Sequence, residues 1–385
     1  MFALSGGKVL KPDGTFNLAD VVVEGESIIG VGIDIPPGVE IINAAGKYIT
    51  PGLIDGHTHL GLEEEIYREE GDDVNETSDP VTPHLQASTG INPFDLAFAD
   101  ALRGGVTRAL VVPGSANIIG GQGALVKMYA PAARQMIFAD RWGVKAALGE
   151  NPKRVYGRKE KAPITRMASA ALLKENLSLA VELTGKKTEL THENYRLLPL
   201  LAVVKGETPL WLHVHRADDI LTGLSIAQEF GIKLVIQHGT EAHLVAEELK
   251  EAQVPVILGP MLTNRAKVEM KEVSLTNAAR LWDKGVRFCF MTDHPVIPVS
   301  LLAVQAALTV REGLPEEIAL RALTGEAASI LGISDQLGTI EAGKKADLVL
   351  WSGHPFDFRS KPEAVWIEGL RVGAAGCEKR RPGRI

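Results

Sequence analysis

Short apolar segments alternate with amphipathic helical patterns through the middle of the chain, and this alternation constrains the fold more than any other feature. Strands that are separated by helices pair in parallel, so the pattern predicts an α/β fold. Eight strands would complete a (β/α)8 TIM barrel. The candidate strands are 53–59, 106–113, 136–139 (or instead 124–129), 144–148, 210–215, 234–239, 254–259 and 286–293, and helical patterns cover 93–104, 166–184, 221–230 and 242–252.

The two ends of the chain have a different pattern. Residues 20–32 form a hairpin-like pair of apolar segments around a glycine, and residues 346–351 and 365–372 are similar. Neither end is long enough to bury a core alone, so we expect the two ends to pair. The sequence therefore predicts a composite β-sandwich from residues 1–50 and 346–385, beside a barrel domain of residues 51–345.

Composition excludes several classes of partner. The 385 residues contain 41 Lys and Arg against 48 Asp and Glu, a formal net charge of -7, without a basic tail. Nucleic acid and anionic membranes are therefore not expected as partners. There is no leader-like start and no apolar run of membrane-spanning length, so we expect a soluble, cytoplasmic protein with a small-molecule substrate. Its two cysteines, Cys289 and Cys377, predict neither a disulfide framework nor a cysteine metal site.

Two histidines stand one residue apart at the end of the first predicted barrel strand. Because side chains alternate along a strand, His57 and His59 point to the same face. A hydrogen-bonded pair of core histidines would have this spacing, and so would two ligands of a zinc-like divalent metal. The choice between these interpretations depends on what lies at the ends of the other strands.

Further metal-binding side chains follow three later strands. His213 and His215 end the fifth predicted strand, His238 ends the sixth, and Asp293 ends the eighth. The carboxyl ends of parallel barrel strands meet at one face, where the chemistry of such barrels is located. Histidines and a carboxylate at the ends of four strands are not explained by packing, so the sequence predicts a metal site there.

The chain resembles the amidohydrolase superfamily in two motifs. Residues 51–59, with the sequence PGLIDGHTH, resemble its entry motif, and residues 338–349, GTIEAGKKADLV, resemble its return to the small β domain. Within the superfamily the chain is most similar to the imidazolonepropionase-like branch, which includes certain metal-dependent dipeptidases. Relatives are often oligomers, so the resemblance leaves room for a homo-oligomer.

The resemblance implies a ligand set. His57 and His59 would bind a first metal, and Asp293 would be shared between that metal and the attacking water. His215 and His238 would hold a second metal or assist with the first. We prefer His215 to His213 as the ligand, because an acid, Asp218, follows His215 three residues later, as it does in the family.

The resemblance also implies a bridging carboxylate when two metals are bound. Two residues are candidates, Lys145 after carbamylation and Glu150. Alternation along the fourth strand turns Lys145 to the barrel interior, where an unmodified lysine is costly to bury, so we slightly favour Lys145. Glu150 is already a carboxylate and lies at the strand end.

The expected activity follows from these implied ligands. A divalent metal, zinc in the first instance, lowers the pKa of its bound water, and the resulting metal-bound hydroxide would hydrolyse a non-protein C–N bond in a small amide, cyclic amide or dipeptide-like molecule. Asp293 would transfer the proton, and His238 or His294 would help to polarise the substrate oxygen. A deaminase of a nitrogen heterocycle and a catalytically silent scaffold are the alternatives.

Loops after the second, fourth, fifth and eighth strands supply candidate substrate contacts. The glycine-rich segment 113–123 offers backbone N–H groups for an anion, and segment 150–154 offers basic side chains for a carboxylate. Segment 113–123 is equally well explained as a structural loop, and a charge pair such as Lys153 and Arg154 is usually solvated. The candidate substrate-binding residues are Asn117, Gln122, Arg154, Asp218 and His294.

Overall fold

The computed structural model describes residues 1–65, 69–184 and 191–372, with the backbone alone at His192 and Glu193. Residues 373–385, which belong to the predicted composite domain and include Cys377, lie outside the described residues. In the described part of the chain, no helix has the length and apolarity needed to cross a membrane.

Strands occupy the two ends of the chain and recur through its middle. In chain order they are β1 (Phe2–Leu10), β2 (Phe16–Glu24), β3 (Ser27–Val31), β4 (Glu40–Asn43), β5 (Tyr48–Pro51), β6 (Leu53–Thr58), β7 (Val106–Val111), β8 (Ile119–Gln122), β9 (Ala124–Lys127), β10 (Ile137–Ala139), β11 (Val144–Ala147), β12 (Leu210–Val214), β13 (Leu234–His238), β14 (Val256–Leu258), β15 (Phe288–Phe290), β16 (Leu348–Trp351), β17 (Pro362–Ile367) and β18 (Leu370–Val372).

Helices lie mainly between the strands of the middle region. They are α1 (Ala87–Gly90), α2 (Leu96–Arg103), α3 (Glu150–Gly157), α4 (Arg166–Leu183), α5 (His192–Tyr195), α6 (Leu198–Val204), α7 (Ala217–Phe230), α8 (Ala246–Glu251), α9 (Asn277–Lys284), α10 (Leu302–Arg311), α11 (Glu316–Ala322) and α12 (Gly325–Ile330). Short 3-10 helices cover Ala133–Met136, Ala242–Val245, Val268–Met270 and Val299–Leu301.

The predicted helices are confirmed with changes at their ends. Helix α4 begins at the predicted residue and ends one residue before the predicted end, with the Thr165 hydroxyl accepting a hydrogen bond from the Ala168 N–H at its start. Helix α7 begins before the predicted residue 221, at Ala217, and ends at Phe230, where Gly231 follows with φ 63°. The predicted helix 242–252 is divided between a 3-10 helix and α8.

The middle of the chain forms two sheets. In one, β11, β12, β13, β14 and β15 run parallel in sequence order, with β8 antiparallel to β11 at the edge. In the other, β6 pairs in parallel with β7, and β9 and β10 follow in antiparallel register. The parallel strands are entirely buried, as expected for strands covered on both faces.

The predicted third barrel strand is wrong in its position. Segment 136–139 forms only the short β10, which pairs antiparallel with β9, and the alternative 124–129 forms β9 itself, antiparallel to β7. The strand beside β11 is β8, which lies within the segment 113–123 that was interpreted as a loop. Two of the four residues of β8 are glycines, so its sequence lacks the apolar pattern by which a strand is predicted.

The two ends of the chain meet in one eight-stranded sheet, as the pairing of the ends predicted. Its order is β18-β17-β16-β5-β1-β2-β3, with β4 paired to β1. The antiparallel pair of β5 and β16 joins strands from the two ends. Side chains of this sheet form a separate apolar core, which includes Leu4, Val21, Ile49, Leu348 and Trp366.

Candidate metal centre

The polar residues predicted at the strand ends converge in the structure. They lie at the carboxyl ends of β6, β12, β13 and β15, which are parallel to their neighbours, so the strand ends share one face. A cavity of about 220 Å³ opens at this face. Its lining includes His57, His59, His213, His215, His238 and Asp293.

Two groups of potential metal ligands occupy the cavity and share His238. One consists of His57, His238 and Asp293, the other of His213, His215 and His238, and the ligand atoms within each group lie within 4.8 Å of one another. The Asp293 Oδ1 atom lies 2.9 Å from His57 Nε2 and 3.4 Å from His59 Nε2. His213 lies beside His238, with ring centroids 4.3 Å apart, so the structure brings both His213 and His215 to the cluster.

Hydrogen bonds outside the cluster orient three of the rings. The Nδ1 atom of His59 lies 2.8 Å from the Val112 carbonyl, and that of His238 lies 3.0 Å from the Gly259 carbonyl. A carbonyl only accepts, so Nδ1 carries the proton and Nε2 keeps its lone pair toward the cavity. His215 Nδ1 makes a corresponding contact of 2.7 Å with the Thr240 hydroxyl.

Burial keeps His57, His213, His215 and His238 neutral. It lowers the pKa of His57 and of His215 to about 3, and lowers the pKa of His213 and His238 to well below their ordinary value. Neutral imidazole is the form that binds a metal. The Nδ1 atom of His57 has no hydrogen-bond partner among the described residues, and its Nε2 atom faces the Asp293 carboxylate.

Asp293 remains ionised in the same environment. Burial acts to raise the pKa of its carboxyl, but His238 and His57 outweigh burial and hold it well below the ordinary value. Asp293 and His238 also have positive φ angles, 54° and 74°, which are uncommon for residues other than glycine. Backbone strain of this kind concentrates at functional sites.

The structure places the two candidate bridging residues differently. Lys145 lies on β11, is buried, lines the cavity, and donates a hydrogen bond to the Gln237 side-chain oxygen. Burial lowers its pKa to about 7. Glu150 is the first residue of α3, and its backbone N–H donates to Glu269 Oε2 at 2.9 Å. Its carboxylate belongs to neither donor group and is not part of the cavity lining among the described residues.

The five predicted substrate contacts lie outside the described cavity lining. Asn117 accepts a hydrogen bond from the Tyr156 hydroxyl, and Gln122 lies on β8 beside a different cavity. Arg154 donates to Asn151 at 3.3 Å, and Asp218 accepts two hydrogen bonds from Arg216. His294 is buried, and its Nδ1 accepts the Val299 N–H.

Sequence reasoning missed four polar residues of the cavity wall, Ser115, Asn151, Thr263 and Lys267. Asn151 is adjacent to a predicted ligand and lies in the first turn of a helix that follows a strand, which is a usable signal. Lys267 lies in the irregular segment 259–276, where no periodic pattern separates one polar residue from another. Only the fold brings Lys267 to the cavity.

Comparison with known proteins agrees with this geometry. The Amidohydrolase family profile matches residues 202–372. An amidohydrolase from Thermotoga maritima MSB8, known from its crystal structure, is 43% identical in sequence and superposes with a TM-score of 0.93. The superposition covers 97% of this chain and 99% of that protein. The chain belongs to the amidohydrolase family.

Two further relatives support the assignment of this amidohydrolase. Amidohydrolase tasK of Hapsidospora irregularis is 30% identical over 387 aligned residues, which cover 91% of this chain but only 39% of that protein. Imidazolonepropionase of Paracidovorax citrulli is 28% identical, with 87% of this chain and 84% of that protein aligned. The relatives of this chain are hydrolases, and the cavity is where its predicted ligands come together.

Proposed function

We propose that the chain is a metal-dependent hydrolase of a non-protein C–N bond in a small amide, cyclic amide or dipeptide-like molecule. The observation that carries the proposal is the pair of donor groups that share His238 in one cavity. Their imidazoles are neutral, and their orientation leaves ring nitrogens directed at the cavity. A scaffold without activity has no need of such a set.

The fold we propose is a closed barrel with a composite β-sandwich beside it. Backbone hydrogen bonds from Asp293 to the His57 carbonyl (3.1 Å) and from His59 to the His294 carbonyl (2.9 Å) join the two barrel sheets at one side. At the other side, β8 and β9 are consecutive strands separated only by Gly123. These contacts support one ring of strands and the domain limits 51–345, with 1–50 and 346–385 in the composite domain.

The cavity residues fit a zinc-type metal, and they can be divided between one or two ions. His57, His59 and Asp293 would hold the first ion, and His215 and His238 the second, with His213 as the alternative to His215. A divalent ion supplies Lewis acidity there, lowering the pKa of a bound water and polarising a carbonyl oxygen. Neutral imidazole nitrogens together with an ionised carboxylate suit such an ion.

Lys145 is the bridging residue we propose. It is buried within the cavity lining, where an ammonium group is costly, and carbamylation would convert it into a carboxylate among the donor groups. The mass of the native protein, with and without added bicarbonate, would show a carbamate. A bare amine at Lys145 in an electron-density map, with Glu150 turned to a bound metal, would overturn this choice.

Asp293 and His238 have different parts in the proposed reaction. Asp293 Oδ1 accepts a proton from the attacking water and passes it to the leaving nitrogen. His238 donates through Nδ1 to Gly259, so its neutral ring has no proton on Nε2 to offer a substrate oxygen. This tautomer favours a ligand role for His238 over a role as a hydrogen-bond donor.

Metal analysis of protein purified without chelator tests the proposal. We expect one or two divalent ions per chain. The metal content should fall in a His57→Ala/His59→Ala variant and stay unchanged in His243→Ala, since His243 lies on the 3-10 helix after β13. Essentially no zinc, manganese, iron, cobalt or nickel would refute the metal-dependent reading. Screening N-acyl amino acids, dipeptides and cyclic ureides with ammonia detection separates a hydrolase from a deaminase, since a heterocycle that releases ammonia indicates deamination.

A further inference from the structure

A row of three polar side chains forms part of the cavity wall. Ser115 follows β7, Asn151 lies in α3, and Lys267 lies in the segment after β14. Each belongs to the same cavity lining as the candidate metal ligands. Three separate segments of the chain therefore contribute one polar group each to a single surface.

Hydrogen bonds hold this row together. Lys267 Nζ donates to Asn151 Oδ1 at 2.8 Å, and Asn151 Nδ2 donates to Ser115 Oγ at 2.8 Å. Asn151 Nδ2 also lies 3.4 Å from His213 Nε2, which connects the row to the histidine cluster. Since Asn151 is only 8% exposed, its side chain has little freedom to turn away.

Lys267 gives the row a positive charge. Among the described residues that line the cavity, the acidic and basic residues other than histidine are Asp293, Lys145 and Lys267. Lys145 is buried and donates to Gln237. The Lys267 side chain is 22% exposed, and one of its three N–H donors is used by Asn151. Lys267 is therefore the cation best placed to meet a substrate.

A neighbouring acid does not occupy these donors. Glu269 Oε1 lies 3.7 Å from Lys267 Nζ, an ion-pair contact that is too long for a hydrogen bond, and Glu269 Oε2 accepts the Glu150 N–H. Gly149 makes this packing feasible, because a Cβ atom there would lie 2.9 Å from Glu269 Oε2. Glu269 is buried behind the wall and does not belong to the described lining.

We propose that Ser115, Asn151 and Lys267 form a subsite for a carboxylate of the substrate. The proposal rests on the proposed function and narrows its substrate class to small amides that carry a carboxylate near the scissile C–N bond, such as N-acyl amino acids. The Lys267 ammonium and the Ser115 hydroxyl supply hydrogen bonds that a carboxylate accepts, and Asn151 holds both groups in position. The contact between Asn151 and His213 places this subsite next to the reacting centre.

The test compares N-acetyl amino acids with their C-terminal carboxamides, which have the same shape without the charge. We expect the wild-type protein to prefer the acids. Lys267→Met should lower kcat/KM for an acid about 10- to 100-fold, mainly through KM, because a hydrogen bond to a charged group contributes about 1.5–3 kcal/mol. The same variant should leave kcat/KM for the carboxamide nearly unchanged.

Lys271→Met is the matched control. Lys271 belongs to the same segment, but its side chain is 62% exposed and its Nζ atom lies 3.5 Å from Glu241 Oε1. It lies outside the described cavity lining, so its removal should not change the preference for acids. Equal losses on acid and carboxamide in Lys267→Met would overturn the subsite, because they indicate a structural role. An equal effect of Lys271→Met would overturn it as well, because it indicates only a general loss of positive charge.

The two proposals fail in different ways. Turnover of carboxamides as fast as acids, with metal bound, refutes the subsite and leaves the proposed function intact. Absence of metal and of any turnover refutes the proposed function. In that case, titration calorimetry of the acids and the carboxamides decides the subsite alone: equal affinities refute it, and a preference for acids that Lys267→Met removes supports it.

Discussion

Two buried polar regions of this amidohydrolase differ in how their charges are balanced. Where β7 meets the terminal sheet, Arg108 Nε and Nη2 donate to Asp347 at 2.7 and 3.0 Å, and Nη2 also donates to Glu368 at 3.2 Å. In the cavity, four histidines carry no charge and Asp293 is the acid among them. The first region pairs its charges within the protein. The second leaves its ligand atoms available to a metal ion.

The difference shows what each region contributes. An ion pair that is closed on itself connects two parts of the chain that are 239 residues apart in sequence, so we infer a structural role. In the cavity, neutral ligands surround one carboxylate without a cation to balance its charge. Binding of a metal there would stabilise the folded state by the free energy of binding. Mutations should separate these two roles.

The largest expected effect is on turnover. Asp293→Asn removes the proton acceptor and one charged ligand while keeping the size of the side chain. We expect kcat to fall by about 10²- to 10⁴-fold, the range for loss of a general base. Asp218→Asn, at a half-exposed acid that pairs with Arg216, should retain activity close to the parent protein. Activity of Asp293→Asn within about tenfold of the parent protein would contradict the proposed mechanism.

The second effect is on stability. Arg108→Met leaves the buried Asp347 carboxylate without its main partner, so we expect the free energy of unfolding to fall by about 3–5 kcal/mol in urea titrations. Arg108→Met/Asp347→Leu should recover part of the loss, since no unpaired charge is buried. The metal content of the folded protein should not change in either variant. A double variant less stable than Arg108→Met would contradict the explanation.

The smallest expected effect is on how steeply the free energy of unfolding changes with pH. Histidines in the unfolded chain bind protons below about pH 6.5, whereas the folded state keeps His57 neutral down to a pKa of about 3. The unfolded state therefore binds more protons in this interval, and acid destabilises the metal-free protein. The contribution is fully retained above about pH 6.5 and is lost progressively as the pH falls towards about 3.

Comparison of two proteins isolates this contribution. Urea unfolding between about pH 7.5 and about pH 4.5, in chelator, should give a steeper loss of stability for the parent protein than for His57→Asn. Carboxylates that both proteins share contribute equally to the two curves and cancel in the difference. Identical slopes would show that His57 is not held neutral by the fold.

Much of the site could be predicted from the sequence because strand periodicity locates the strand ends. The segment 53–59 placed His57 and His59 on one face, and the later strand ends added His215, His238 and Asp293. The substrate contacts could not be found in this way. Asn117 supports a loop through Thr82 and Tyr156, and Asp218 pairs with Arg216, although both residues follow strands as substrate contacts do.

The sequence by itself determined the alternation of strands and helices, the pairing of the two chain ends and the potential metal ligands. These depend on local periodicity and on where each parallel strand ends. Only the tertiary structure decided that β8 lies beside β11, that Lys145 rather than Glu150 lines the cavity, and that Lys267 reaches Asn151. Such contacts join residues far apart in the chain, and their geometry depends on how the elements pack rather than on any local pattern.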